Sequence, residues 1–259
     1  MIDMNDLLQI LLINVGLVLA YMTAWFLVAK SRKRIDTVDI AWGLGFVLVA
    51  WATLAQSPSF HSLLIANIVT VWGVRLAYHI HARHKRSKED RRYQEITSKW
   101  KGNFWLRAYT SIFILQGVLV ILVGLPIIVA ANQPIQGLSW LSYIGVVIWS
   151  VGFVIEAVAD KELSDFLKQI KRPKIMQTGL WRYSRHPNYF GELMQWWAIG
   201  IIALQVSYGW LGLIGPITLS VLIIFISGIP PTERARQNDK DYQIYKQKTS
   251  ALIPLPNRK

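Results

Sequence analysis

The chain has no cysteine among its 259 residues, which excludes disulfides, thiolate catalysis and cysteine-ligated metal. Acid is also scarce: 15 Asp and Glu stand against 28 Lys and Arg, a formal net charge of +13. In a soluble protein that excess would point to nucleic acid. Here the bases cluster at the ends of long apolar runs, so membrane topology accounts for them and no nucleic-acid partner is expected. His79, His81 and His84 do not share one helical face and no carboxylate motif accompanies them, so no metal site is expected. There is no internal repeat and no linker, and residues 1–259 read as a single domain. The first apolar run is too long, and lacks the basic flank, for a cleavable signal.

What the chain has in abundance is apolar sequence: 53% of its residues are hydrophobic and 12 are Trp. The runs predict an all-α, polytopic integral membrane protein with about seven transmembrane helices, over about 7–29, 38–55, 62–81, 108–131, 140–159, the segment after Pro187, and 209–228. Alternate loops are rich in Lys and Arg, and the others carry almost none. That pattern puts the N-terminus outside and the C-terminus in the cytoplasm of a cell membrane, taken to be a bacterial inner membrane. Asp39, Arg75, Tyr78, Arg83, Arg92, Tyr93, Asp160, Asn188 and Glu192 then fall near cytoplasmic helix ends. They are expected to line one polar chamber open to the cytosol.

The stretch GLWRYSRHPNYFGELMQ, from Gly179 to Gln195, joins polar chemistry to an apolar segment. Pro187 suits the first position of a helix, where its missing N–H costs nothing. From there Asn188, Glu192 and Gln195 recur at helical spacing and share one face. Arg182, Tyr183, Arg185 and His186 gather at the mouth of that helix, beside Tyr189, and suit a phosphate-bearing ligand. The positive-inside rule accounts equally for the bases. It does not account for an ionisable Glu192 inside an apolar run, which is a functional hypothesis by default.

RHPNYFGE preceded by GLWRYS and followed by YKQKTSALIP resembles the C-terminal part of the membrane steroid 5α-reductases and Δ14-sterol reductases. The resemblance is nearest to bacterial membrane proteins of unassigned function grouped with them (DUF1295-type), which carry IDxAWGLGF and SGIP. It implies NADPH-dependent reduction of an activated carbon–carbon double bond in a steroid-like or other lipid enone drawn from the bilayer. The implied cofactor chamber is helical, with the cofactor-binding half at about 156–259; no G-x-G-x-x-G follows a strand here. By position, the resemblance assigns Asn188, Glu192, Asp160, Lys174 and Tyr245 to the cofactor, with Arg83 and Arg86 from the third-helix loop. Where the 5α-reductases place a substrate-binding tyrosine this chain has Trp72, and Asp39 is the nearest acid to their second-helix glutamate.

Hydride transfer to the β-carbon of an enone calls for a proton donor at the carbonyl oxygen. Tyr78, polarised by Asp39 or Arg75, is the expected donor, and Arg92 or Tyr93 is expected at the cofactor phosphates. A similar Arg-His-Pro-x-Tyr segment occurs in isoprenylcysteine carboxyl methyltransferases, so an S-adenosylmethionine-dependent methyltransferase is the alternative. A lipid carrier without chemistry is the third reading.

Overall fold

The structure, a computed structural model, describes residues 4–84, 90–131 and 137–257. All its regular elements are helical: α1 (Met4–Arg32), α2 (Val38–Gln56, entered through a turn of 3-10 helix at Ile35–Thr37), α3 (Phe60–His84), α4 (Arg91–Thr97), α5 (Phe104–Ala108), α6 (Leu115–Ala130), α7 (Trp140–Lys168), α8 (Pro187–Ala203), α9 (Ile214–Val221), α10 (Ile229–Arg234) and α11 (Lys240–Lys248). A π-helical segment, Tyr109–Ile114, joins α5 to α6 into one rod. Among the described residues, six helices are long and apolar enough to cross a membrane: Met4–Arg32, Ile35–Gln56, Phe60–His84, Phe104–Ala130, Trp140–Lys168 and Gly209–Arg234. This is a polytopic membrane protein. The expected span after Pro187 is a helix of 17 residues. At 1.5 Å per residue it reaches about 25 Å, short of a hydrocarbon core of about 30 Å.

The chain divides into two compact units. The first comprises Met1–Ser142 and Gly200–Gly215. In it α2 packs against α1, α3 and α6. The α2–α3 crossing is set by small residues: a Cβ on Gly43 would stand 2.8 Å from the Gly73 carbonyl oxygen, so only glycine lets the two backbones meet there. Trp72 is buried beside that crossing, its ring 5.8 Å from Phe46. Away from the basic loops, buried His61 lies 3.0 Å from Ser142 Oγ, and the Gln205 amide donates to the same hydroxyl at 3.0 Å. This network ties the start of α3 to the start of α7.

The second unit comprises Tyr143–Ile199 and Pro216–Lys259. Here α7 and α8 meet at Gly152 and Gly191, where a Cβ on Gly152 would lie 2.7 Å from the Gly191 oxygen. α7 continues as helix to Lys168, well past the expected end at 159, because its polar extension packs back on the chain. Trp181 donates its indole N–H to the Ala159 carbonyl at 3.1 Å, and Ala159, Met176 and Trp181 form a small core. The tail is also ordered: Asp239 caps α11 by accepting from the Asp241 N–H at 3.1 Å.

Candidate functional site

In the second unit the motif stretch has two faces with different fates. Before Pro187 it turns inward onto the tail. Arg185 is buried, and its guanidinium donates to Glu233 Oε1 from Nε at 2.8 Å and from Nη2 at 2.6 Å. Nη1 donates to the carbonyls of Lys246 (3.1 Å) and Thr249. Tyr245 is buried and donates its hydroxyl to the Trp181 carbonyl, and the Ser184 hydroxyl donates to the Leu252 carbonyl at 2.7 Å. Burial raises the Tyr245 phenol above its usual range, so it stays a donor. Arg185 and Tyr245, both expected at a cofactor, therefore have their polar groups engaged within the unit. They fasten the tail to the motif.

Glu233 is the hub of this fastening. Besides Arg185 it takes Lys246 at 2.6 Å. His186 stacks on Tyr189 with ring centroids 5.4 Å apart, and its Nε2 stands 3.7 Å from Glu233, too far for a hydrogen bond. Burial drives the His186 imidazole down to about 4 against the pull of Glu233, so it is neutral at pH 7. Arg182 and Tyr183 are exposed, with the guanidinium 5.9 Å from the Tyr183 ring centroid. Lys174 forms an exposed pair with Asp241 at 3.4 Å.

After Pro187 the face changes. The Asn188 amide donates to Asp160 Oδ1 of α7 at 3.2 Å, while its own Oδ1 is buried without a hydrogen-bond partner. Glu192 follows one turn on, half-buried. Two turns on from Asn188, Gln195 donates to Glu156 Oε2 at 2.6 Å, and again its Oε1 is buried without a partner. The structure thus joins Asp160 to Asn188, with Glu192 one turn further along α8, and adds a deeper acid–amide pair of the same pattern. An unpaired buried carbonyl oxygen is costly unless a ligand or water donates to it.

The first unit holds Asp39, Arg75, Tyr78, Arg83, Arg92 and Tyr93. The expected pairing of Asp39 with Tyr78 is not formed. Asp39 accepts instead from the Tyr93 hydroxyl at 2.6 Å and from Arg92 at 3.3 Å, and Tyr78 is 73% exposed. The reason is the short helix α4, which the Asp90 side chain caps at 2.9 Å and which carries Arg92 and Tyr93 to the start of α2. Burial first, and then the Asp39 charge, push the buried Tyr93 phenol well above its usual range. Burial acts to raise the Asp90 carboxyl, but hydrogen bonds from Arg92 hold it below the usual range. Next door, fully buried Asp36 takes Arg34 at 2.8 and 3.1 Å and the Asp90 N–H at 3.1 Å. Arg75 is half-buried in α3, Arg83 is exposed at its end, and Arg86 lies outside the described residues.

Sequence reasoning missed Glu233 and the α4 clamp. The first acid after the Gly-Ile-Pro-Pro turn, in a basic tail, was the signal for the first. Asp90 ahead of Arg92 and Tyr93, at N-cap spacing, was the signal for the second.

A family model described as protein of unknown function (DUF1295) matches residues 25–249. An uncharacterized protein of Schizosaccharomyces pombe is 25% identical over an alignment that covers 93% of this chain and 79% of the relative. No solved structure matches the chain.

Proposed function

The chain belongs to the DUF1295 family, whose model spans most of its length, and on that premise we propose that it is an NADPH-dependent membrane oxidoreductase. Its substrate is a lipid, steroid-like or otherwise, with a carbon–carbon double bond conjugated to a carbonyl. The observation that carries this reading is the Asp160–Asn188 bond with Glu192 one turn on, on one face of the apolar helix α8 and shortly after the exposed Arg182. Together with the resemblance of GLWRYSRHPNYFGE to the sterol reductases, it supports a nucleotide site.

The residues present suit that cofactor. The buried, unpartnered Oδ1 of Asn188 is an acceptor for a carboxamide N–H. Glu192 suits ribose hydroxyls, and exposed Arg182 suits a phosphate. When bound, NADPH would supply hydride to the β-carbon of the enone. The chain's own task is to place a donor at the carbonyl oxygen. Asp39 is assigned to holding α4. The polar helix ends face the cytoplasm in this reading, following the loop charges.

The test is NADPH oxidation by the detergent-purified protein with a panel of lipid enones, read with the gain of two hydrogens in the lipid. Wild type should turn over. Asn188→Ala and Glu192→Ala should not. Methyl transfer from S-adenosylmethionine, without any NADPH oxidation, would replace this reading with the methyltransferase one.

A further inference from the structure

The first unit presents a set of cations for which the described residues supply no carboxylate partner. α1 and the rod Phe104–Ala130 run antiparallel. The Phe26 ring meets Trp105 at 6.3 Å, Tyr109 at 4.9 Å and Phe113 at 5.6 Å, and further in, a Cβ on Gly117 would touch Met22 and Val18. The end of α1 is therefore level with the start of α5. Lys30, Arg32 and Lys33 close α1, while Lys99, Lys101 and Arg107 flank the start of α5, and all six are exposed. Among the described residues none of the six has a side-chain hydrogen bond or an ion pair. In the second unit, by contrast, Lys161, Lys168, Lys174 and Lys246 each face a carboxylate within 3.4 Å.

Helix electrostatics explain only half of this set. Cations suit the C-terminus of α1, but the N-terminus of a rod of 27 residues disfavours Lys99, Lys101 and Arg107. An external anion would reverse that sign, since helix N-termini and cations act on it together. Lys33 adds a second cost: it takes a left-handed φ of 54°, where a glycine would be cheaper, and its charge gains no partner among the described residues. Among these cations sits apolar surface. Trp100, Phe104 and Trp105 form a chain of rings, with centroids 5.6 and 5.1 Å apart, that leads on to Phe26, and Leu106 is 60% exposed. Rings and an exposed leucine beside lysines match the boundary between headgroups and acyl chains. Among the described residues, Glu95 on α4 is an exposed acid of this segment.

We propose that this face of the first unit is a binding surface for the headgroup of an anionic phospholipid. The cations from α1 and from the α5 entry grip the phosphate, and the ring chain seats the upper acyl carbons. The surface draws on residues of the first unit, and the proposed nucleotide site on residues of the second.

The test titrates dioctanoyl phosphatidylglycerol and dioctanoyl phosphatidylcholine into the detergent-purified protein and reads thermal stabilisation. Wild type should prefer the anionic lipid at least tenfold, and salt should erode that preference. The triple variant Lys99→Gln, Lys101→Gln, Arg107→Gln should lose it, and Lys101→Gln alone should weaken it roughly fivefold. The control triple in the other unit, Lys171→Gln, Arg172→Gln, Lys174→Gln, should keep it. Equal binding of the two lipids by wild type, or an equal loss in both triple variants, would overturn the proposal.

Discussion

Both units carry buried charge near a helix end, but they fix it in opposite ways. The first buries acids and reaches them from outside: Asp36 is held by Arg34, and Asp39 by Tyr93 and the half-exposed Arg92. The second buries a cation, Arg185, and surrounds it with Glu233 and two carbonyls of the tail. Arg92 works in water, where an ion pair gains about 1 kcal/mol or less. Arg185 works out of water, so removing either partner strands a charge. The motif before Pro187 is thus a fastening, and the motif after it is where polar capacity remains open.

The largest effect should come from breaking the buried clamp. Arg185→Ala should cost about 3–5 kcal/mol in unfolding free energy, since it leaves Glu233 with Lys246 alone. Arg92→Ala should cost about 1 kcal/mol or less. Chemical denaturation of the two variants in detergent compares them directly, and equal losses would erase the distinction.

Acid should expose the same asymmetry. His186 titrates at about 4 in the fold, against 6.5 ordinarily. Between those values the unfolded chain binds a proton that the folded chain does not. The stabilisation is complete above pH 6.5 and is lost as the pH falls toward 4, on the order of 3 kcal/mol. Thermal midpoints across that window should fall more steeply for wild type than for His186→Phe, which keeps the stack on Tyr189.

Next in size is the helix crossing. Gly191→Ala should cost about 1–3 kcal/mol, because the new Cβ meets the Gly152 oxygen at 2.5 Å. Gly16→Ala on α1, with nothing within 4 Å, should be neutral or slightly stabilising. Smallest is Tyr93→Phe, which removes one hydrogen bond to Asp39 and should cost about 1 kcal/mol.

The apolar runs made most of the fold legible, because a helix that must span lipid leaves a long unbroken signature. Where the signature failed, polar sequence had been recruited into tertiary contacts. The extension of α7 to Lys168 shows this: it reads as loop until Trp181 and Met176 are known to pack on it. Of the candidate site, the placing of Asn188 and Glu192 one turn apart on α8 was legible from helical spacing, and only the resemblance assigned Asp160 to the cofactor. The partners of Arg185 were not, since Glu233 and Thr249 lie far along the chain and no periodicity links them. Asp39 was expected to polarise Tyr78, and its partners Tyr93 and Arg92 were not foreseen, because α4 is too short to leave a pattern and shows only in its Asp90 cap.

The central claim is that the α8 face after Pro187 holds a nicotinamide cofactor, and ligand-dependent stability tests it most directly. NADPH at a hundredfold its dissociation constant should raise the unfolding free energy of the detergent-purified protein by about 2.7 kcal/mol. That gain should vanish in Asn188→Ala and Glu192→Ala, and S-adenosylmethionine should give none. Stabilisation by S-adenosylmethionine alone, or an undiminished NADPH response in Glu192→Ala, would contradict the account.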